Sequence, residues 1–444
     1  MSRKAARPGA SLASYNVEGV RDAKMPPELL SGFRMLDLAD DKGALCGRIF
    51  ADMGAEVIKV EPLSGCPTRA IPPFLDDRPS AERSLYSLAY NAGKLSITAN
   101  LESADARAIL VELAKKSDFF VESYPAGYLD SRGLGYTSLS AINPRLIYVS
   151  IAPFGESGPA RDYQARDIVS WAAGGAMFMM GDEGRPPLEM SLPQAGLHAG
   201  AEAAVGALLA HYPRQIDGRG QRVIVDMQAC VAWTLMNEQA MPIMHGDYIR
   251  RGGVYYTATG SRRKMVFRCK DGHISLMLVG GFGVGARSIK GLIGWMAENG
   301  SAADWMLKKD WASWTPGLIS RATAKDHEEI ADLENRVETF FLRMTKREIY
   351  ARGRELRILL APVATAADIA ADEQLKARGY FVSVRHKAVD RTLTLPGPFA
   401  KFSQTPLKSP RPAPQLGEHN HDIYCGLLNL SEERLGQLAA SGAI

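Results

Sequence analysis

Few residues of this 444-residue chain could do chemistry, and no two of them form a familiar catalytic pattern. The first histidine is His198, which stands alone in a segment of small residues. A lone histidine there is more typical of a packed, hydrogen-bonded side chain than of a catalytic base. Asp167, which follows the turn at Gly158-Pro159, has two interpretations that stay open. It is either a helix-start acid that opposes the helix dipole or a carboxylate of an active site.

The cysteines do not predict a metal centre. They are scattered, with no CxxC pair and no His/Cys cluster, so we expect no bound metal. An odd number of separate thiols is typical of inert core residues in a reducing cytoplasm. The five are Cys46, Cys66, Cys230, Cys269 and Cys425.

The composition is that of an ordinary globular protein, with 46% hydrophobic and 23% charged residues. The formal net charge of +4 could favour anionic ligands, but it is too small and dispersed to indicate nucleic-acid binding. No run of about 18 apolar residues predicts a membrane span, and the polar start lacks the apolar run of a signal peptide. We therefore expect a cytoplasmic protein without nucleic-acid or membrane partners.

The elements that must position these residues follow an α/β pattern. Five apolar runs predict strands, at 33–38, 55–60, 118–122, 145–151 and 221–226. Helical patterns lie between them, and short Gly/Pro connections link the elements. Alternation of strand and helix predicts a parallel, Rossmann-like sheet. No GxGxxG motif follows the first strand, so dinucleotide binding is not indicated.

The pattern changes after Gly246. Residues 264–278 predict a hairpin that turns at Asp271-Gly272, and Trp-rich helical segments follow it. From about Pro362 the chain becomes strand- and Pro-rich, and it ends in a predicted helix at 432–439. We expect four segments in all: a flexible arm (1–29), a large Rossmann-like domain (30–245), a smaller α+β domain (246–360) and a return segment that completes the large domain (361–444).

A set of short motifs spans nearly the whole of this pattern, in an order and spacing typical of one enzyme family. They are LDL (36–38), FADMGAEVIKVE (50–61), NAGKLS (91–96), ESYPAG (122–127), NPRLIY (143–148), FGESGP (154–159), GRGQRV (218–223) and PQLGEHN (414–420). On these motifs the chain resembles the family III CoA-transferases, whose members act on CoA thioesters.

The resemblance implies an architecture and a substrate class. The large Rossmann-like domain is then built from both chain ends, with a smaller domain between them. Two subunits thread through each other as interlocked rings, so the dimer is obligate and a free monomer is not expected to be stable. Coenzyme A or an acyl-CoA is the expected substrate.

The family's nucleophile is an aspartate, and this chain lacks it. Counting back without gaps from Gly218 through Gly206 and Gly200 places the matching position at Gly196. Residues 190–201 contain neither Asp nor Glu, so a slip of one or two positions restores nothing. Glycine cannot form the acyl intermediate. An aspartate restored at Gly196 would create a working site only in an otherwise intact pocket.

The resemblance also implies which residues contact CoA, but this chain differs from the family pattern at three positions. Pro62 stands where many members have Arg, Cys66 replaces an acid, and Ser123 replaces an Asn. These losses put CoA binding by the chain's own cleft in doubt. The candidate contacts are Arg69, Asn100, Leu101, Ser123, Tyr124, Arg132 and Met227.

Several functions remain open on the sequence. The first is a non-catalytic subunit of a CoA-transferase heterodimer or heterotetramer, with succinyl-CoA as donor, an aryl-substituted succinate as acceptor, and the nucleophilic Asp on a homologous partner. The second is a homodimeric transferase with a displaced nucleophile, of which Asp167 is the candidate. The third is a non-enzymatic acyl-CoA-binding protein. The related racemases pair an Asp with a His about 30 residues earlier, and no His precedes His198, so that activity is the least favoured.

Overall fold

A computed structural model describes residues 28–246, 248–258, 261–281, 283–314, 323–407 and 410–444. The predicted flexible arm, 1–29, lies outside these residues except for its last two positions. Within the described part of the chain, no helix is both long and apolar enough to cross a membrane.

A six-stranded parallel sheet with the order β3-β2-β1-β4-β5-β6 organises the first half of the chain. This is the strand order of the Rossmann fold, and it confirms the predicted α/β class. The four-residue strand β3, which lies at one edge, is the one that the apolar pattern did not predict. The strands are β1 (Arg34–Leu38), β2 (Glu56–Glu61), β3 (Leu95–Thr98), β4 (Phe119–Glu122), β5 (Ile147–Ala152) and β6 (Arg222–Asp226).

Helices cover both faces of this sheet, so its central strands are buried throughout. Alternate strand residues supply two cores: Met35 and Phe119 face α1 and α6, while Leu36 and Phe120 face α3. The helices are α1 (Ala44–Asp52), α2 (Leu85–Tyr90), α3 (Ala104–Lys115), α4 (Tyr136–Ile142), α5 (Asp167–Ala173), α6 (Ala195–Asp217), α7 (Met227–Trp233) and α8 (Met236–His245).

The segment after α8 forms a separate core around a small antiparallel sheet, with the order β11-β10-β9. Cys269 pairs with Gly272 across the turn, which confirms the predicted hairpin at Asp271-Gly272. Trp295, Trp311 and Trp314 are buried in this core. Its elements, with the neighbouring β7–β8 hairpin, are β7 (Tyr255–Ala258), β8 (Ser261–Lys264), β9 (Val266–Cys269), β10 (Gly272–Leu276), α9 (Val284–Glu298), α10 (Asp304–Lys308), α11 (Ala324–Phe341), α12 (Lys346–Glu355) and β11 (Leu360–Pro362).

The last part of the chain returns to the edge strand β3. Asn420 exchanges two hydrogen bonds with Thr98, and the buried Tyr424 hydroxyl donates to the Thr98 carbonyl at 2.6 Å. His419 Nδ1 accepts from the Ser96 N–H at 3.2 Å. Contacts between residues more than 300 positions apart support a large unit made from both ends of the chain. The elements here are α13 (Ala366–Ala371), α14 (Glu373–Ala377), β12 (Phe381–His386), β13 (Arg391–Pro396) and α15 (Glu432–Ala440).

Candidate active site

The carboxyl ends of β1 and β4 are where the sheet offers a binding crevice. Strands β2 and β3 lie on one side of β1, and β4 to β6 lie on the other, so the winding reverses between β1 and β4. In open parallel sheets, ligands bind outside the carboxyl ends of the strands at such a point. Asp40 and Asp41 follow β1 there, and Ser123 and Tyr124 follow β4.

Ser123, a predicted CoA contact, links the two loops of this crevice. Its hydroxyl donates to Asp40 Oδ1 at 2.7 Å and accepts from the Asp40 N–H at 2.9 Å. The Asp40 carboxylate also accepts from the Lys42 N–H at 3.1 Å and pairs with the Lys42 ammonium. The hydroxyl therefore holds the loop after β1 against the end of β4.

Gly196, the predicted match to the family's nucleophile, lies in the first turn of α6 and is buried. A Cβ atom at this position would lie 2.7 Å from the backbone oxygen of Asp41 and 3.3 Å from Lys42 Cα. Gly200, one turn further on, makes a similar approach, since a Cβ there would lie 3.0 Å from Leu45 Cβ. Helix α6 thus packs so tightly on α1 and the loop before it that no side chain fits at Gly196 unless the backbone moves.

Asp167 is the first residue of α5, but its carboxylate serves a different helix. Its two oxygens accept from the backbone N–H groups of Gln194, at 2.9 Å, and Gly196, at 2.8 Å. Gln194 is the N-cap residue of α6, and its side chain makes no capping hydrogen bond. Asp167 therefore satisfies N–H groups that α6 leaves free at its start. Asp167 is a helix-start acid by its position on α5, but its carboxylate caps the start of α6.

Asp41 is a candidate site residue that the sequence analysis missed. Burial raises the pKa of its carboxyl, and the negative charges of Asp40 and Asp167 raise it further, against an opposing contribution from Lys42. The Tyr86 hydroxyl donates to the Asp41 backbone oxygen at 3.3 Å. The structure thus places the Asp167 carboxylate and the backbone of Asp41 beside Gly196. The signal in the sequence was the position of Asp41, three residues after the first strand of a Rossmann-like unit.

His198 is packed, as the sequence favoured. Its ring stacks on the indole of Trp171, with centroids 6.0 Å apart and planes 16° from parallel. Trp171 is buried on α5, so the contact joins α5 to α6. This arrangement gives the imidazole a packing role between two helices that frame the crevice.

Arg69, another predicted CoA contact, is buried and fully engaged by protein groups. Its guanidinium donates to both oxygens of Glu61, at 2.7 and 2.8 Å, and pairs with Glu82 at 3.2 Å. It also donates to the Pro414 carbonyl at 3.2 Å. Arg69 therefore joins strand β2 to the returning C-terminal segment. A phosphate would have to displace these carboxylates to reach it.

Three of the predicted CoA contacts come together beyond the ends of β3 and β4. Tyr124 stacks on Tyr128 with centroids 4.8 Å apart, and the Arg132 guanidinium lies 3.7 Å from the centroid of the Tyr128 ring. Arg132 also pairs with Glu102 at 2.6 Å. The Asn100 side chain accepts from the Glu102 N–H at 3.1 Å. This group, which we call the Tyr124 ledge, presents aromatic rings and one cation at the sheet edge.

The other two predicted contacts are apolar and buried. Leu101 contributes its side chain to the core under α3, next to the Tyr124 ledge. Met227 is 1% exposed and packs in the core on the opposite face of the sheet, at the start of α7. The structure therefore does not bring Met227 together with the other predicted CoA contacts.

Beneath the crevice, three charged side chains are buried together. Asp37 accepts from Lys94 Nζ at 2.8 Å and pairs with Lys59 Nζ at 3.3 Å, and none of the three is more than 2% exposed. Burial alone would raise the pKa of Asp37, but the positive charges of Lys59 and Lys94 outweigh it and hold the pKa below its usual value. This triad fixes β1, β2 and the turn before β3 to one another.

Glu122, the last residue of β4, is a buried acid at the edge of the crevice. It accepts from the Tyr124 N–H at 2.7 Å. Burial raises the pKa of the Glu122 carboxyl to about 7, with the nearby Glu156 adding to the rise. The group therefore changes charge near neutral pH, directly behind the Tyr124 ledge.

A large apolar surface lies along α6 and continues onto the edge strand β6 and the helices that follow it. On α6, four exposed apolar side chains recur at helical spacing and form one stripe: Val205, Leu209, Tyr212 and Ile216. The sheet edge and the next helices expose more, namely Ile224, Trp233, Met236, Ile243 and Met244. Contiguous exposed apolar area of this kind marks an interaction surface.

The fold and site together define a class of protein. It is an α/β protein with a Rossmann-ordered sheet whose candidate site combines carboxylates with a close-packed glycine-containing helix, and no GxGxxG motif follows its first strand. The chain matches CoA-transferase family III over residues 30–420 and belongs to that family. Its chemistry is therefore that of CoA transfer on CoA thioesters.

Relatives and a solved structure agree with this assignment. The chain is 31% identical over 398 residues to succinyl-CoA:(R)-benzylsuccinate CoA-transferase subunit BbsE of Thauera aromatica, covering 89% of this chain and 94% of that protein. It is 32% identical over 440 residues to formyl-CoA:oxalate CoA-transferase of Streptomyces coelicolor, covering 95% and 100%. The crystal structure of a CAIB/BAIF family protein from Brucella suis superposes with a TM-score of 0.76 at 27% identity, covering 91% of this chain and all of that one.

Proposed function

We propose that this chain is the subunit without a nucleophile in a heteromeric CoA-transferase, and that a homologous partner carries the catalytic aspartate. The observation that carries the proposal is the packing at Gly196. The backbone oxygen of Asp41 occupies the place where a side chain would begin, 2.7 Å from a Cβ built there. A side chain at this position would therefore require the backbone of α6 or of the loop after β1 to move.

The apolar stripe on α6 supports a tightly bound partner. Four exposed side chains on one helix face, together with those on β6, α7 and α8, make an apolar surface of the kind that obligate interfaces bury. We propose that the partner covers this surface in an interlocked dimer. The Thauera aromatica relative is itself named as a subunit, which supports a heteromer.

The proposed reaction proceeds at the partner's aspartate. Its carboxylate attacks the donor thioester, which forms a mixed anhydride and releases CoA thiolate. The thiolate attacks the aspartyl carbonyl of the anhydride, which gives an aspartyl-CoA thioester and frees the donor acid. The acceptor carboxylate then reverses the two steps and leaves as its CoA ester. Each intermediate keeps the carboxyl activated, so the thioester energy is not lost to water.

The name of the Thauera aromatica relative supports a proposal for the substrates. We propose succinyl-CoA as the donor and an aryl-substituted succinate as the acceptor. In this chain the Tyr124 ledge supplies aromatic surface and a cation of the kind that a nucleotide end of CoA can use. Because Arg69 is committed to Glu61 and Glu82, this chain's cleft offers fewer cations to the CoA phosphates than the sequence indicated.

A second candidate function has one observation in its favour. The Asp167 carboxylate accepts from the Gly196 N–H, and the Asp41 carboxyl interacts electrostatically with Asp167, so either carboxylate could serve as a displaced nucleophile in a homodimeric transferase. Asp167 is the less available of the two, since both its oxygens accept from the start of α6. This function requires that the chain alone, as a homomer, turns over CoA esters.

The composition of the native complex separates the two functions. We expect the complex purified from its source to contain this chain and a homologous chain in equal amounts, by native mass spectrometry. Reconstitution should give CoA-transferase activity only when both chains are present. An active complex that contains this chain alone would contradict the heteromer and favour Asp41 or Asp167.

A further inference from the structure

Three metal-ligand side chains converge on the surface of the returning segment, away from the crevice. A ring nitrogen of His421, the Sγ atom of Cys425 and a carboxylate oxygen of Glu432 all lie within 4.8 Å of one another. His421 immediately precedes a single π-helical turn, Asp422–Leu427, Cys425 lies within that turn, and Glu432 is the first residue of α15. We propose that these three residues form a binding site for a divalent transition-metal ion, and that zinc is the ion their chemistry fits best.

The donor set argues for zinc. An imidazole nitrogen, a thiolate and a carboxylate are its three protein ligand types, and hard ions such as Mg²⁺ would reject the sulfur. Bonds of about 2.0–2.3 Å to a tetrahedral ion place its ligands roughly 3.3–3.7 Å apart. The present hydrogen bond from His421 Nε2 to Glu432 Oε1 is 2.6 Å long, so the ion would replace it. The fourth position is left for water.

The site combines a fixed backbone with mobile side chains. The turn is anchored by Ile423 and Tyr424, which are buried in the main core, and the Tyr424 hydroxyl donates to the Thr98 carbonyl. The side chains of His421 and Glu432 are 63% and 73% exposed. They can therefore shift by the ångström or so that coordination needs without disturbing the core.

Asp422 gives His421 the surroundings of a metal ligand. Its Oδ1 lies 3.9 Å from Nδ1 of His421, on the ring edge that faces away from Glu432. Metal-bound histidines usually donate this second N–H to a carboxylate, which leaves Nε2 free for the ion. A small ring rotation would bring this contact within hydrogen-bond distance.

Cys425 differs from every other cysteine of the chain. Cys46, Cys66, Cys230 and Cys269 are buried, and Cys425 is partly exposed. No metal was predicted from the sequence, because Cys and His motifs at short spacing were absent. In the structure the third ligand, Glu432, comes from the helix that follows the turn. Bound metal would join the turn that packs on β3 to the last helix, and so hold the returning segment in place.

Titration of the tag-free full chain with Co²⁺ tests the proposal. We expect one equivalent to bind and to produce a near-ultraviolet sulfur-to-cobalt charge-transfer band, which Zn²⁺ then removes by displacement. Cys425→Ser should abolish the band, and Glu432→Gln should weaken Co²⁺ binding by about tenfold or more. Glu433→Gln is the matched control, because this neighbour on α15 is outside the cluster and should change nothing.

A chemical readout checks the same site without cobalt. Zn²⁺ should slow the reaction of Cys425 with a thiol reagent in the wild type, and His421→Ala should remove that protection. Circular dichroism of each variant checks that the fold is kept, which is expected for exposed side chains. A cobalt spectrum without a sulfur band, or one that persists in Cys425→Ser, would show that these residues hold no metal.

Discussion

Asp37→Asn should destabilise the fold by about 3–5 kcal/mol, the usual cost of removing one partner from a buried ion pair. The substitution keeps the shape of the side chain but leaves Lys59 and Lys94 without a counter-charge in a site at most 2% exposed. Burial already lowers the pKa of Lys94. Because the folded variant favours neutral lysine, the loss in its free energy of unfolding relative to wild type should become smaller as the pH rises. Urea unfolding at fixed protein concentration measures the change.

Asp105→Asn is the matched control for this prediction. Asp105 also pairs with a cation, Arg434, at 3.0 Å, but its side chain is 51% exposed. Surface pairs contribute at most about 1 kcal/mol, so the control should remain close to wild type. If Asp37→Asn were as stable as Asp105→Asn, the triad would have no part in holding β1 and β2 to the turn before β3.

Gly196→Asp should destabilise the chain and should fail to create a nucleophile. The new Cβ would lie 2.7 Å from the Asp41 backbone oxygen, so α6 must move away from the loop after β1. Overpacking of this kind costs about 1–3 kcal/mol. The new carboxylate would also lie beside Asp167, whose oxygens already accept from this turn of the helix. We therefore expect a lower unfolding midpoint and no acyl adduct at position 196.

Two alanine variants separate the causes. Gly196→Ala introduces the Cβ without the charge and should show most of the loss in stability. Gly436→Ala is the matched control on helix α15, where a Cβ would meet nothing within 4 Å. It should be neutral or slightly stabilising, because alanine is the better helix former. A stable Gly196→Asp chain that forms an acyl adduct would show that the pocket is intact.

Five of the six strands of the parallel sheet could be predicted, because they are apolar runs that alternate with helices. Strand β3 was not predicted because it has four residues, two of them polar. The pattern also could not show that Lys59 is buried. In a strand covered on both faces there is no solvent side, and the partner that makes burial possible, Asp37, lies on the neighbouring strand.

The sequence indicated which residues belong to the candidate site, but it did not predict most of the contacts between them. The prediction that Gly196 replaces the nucleophile was made from the sequence alone, but the backbone oxygen that packs against this position belongs to Asp41, 155 positions earlier. The partners of Asp167 are N–H groups 27 and 29 positions away. Arg69 matched a CoA contact by position, and only the structure reveals its ion pairs with Glu61 and Glu82. Hydrogen bonds between residues far apart in the chain leave no local pattern in the sequence, so these partners could not be predicted from it.

Acyl trapping on the native complex tests the central claim most directly. The complex is incubated with succinyl-CoA and quenched with hydroxylamine, which converts activated aspartyl groups into hydroxamates, and peptide mass spectrometry then locates them. We predict a hydroxamate on an aspartate of the homologous partner and none on this chain. A hydroxamate on this chain at Asp41 or Asp167, abolished by Asp41→Asn or Asp167→Asn, would contradict the account and assign the nucleophile to this subunit.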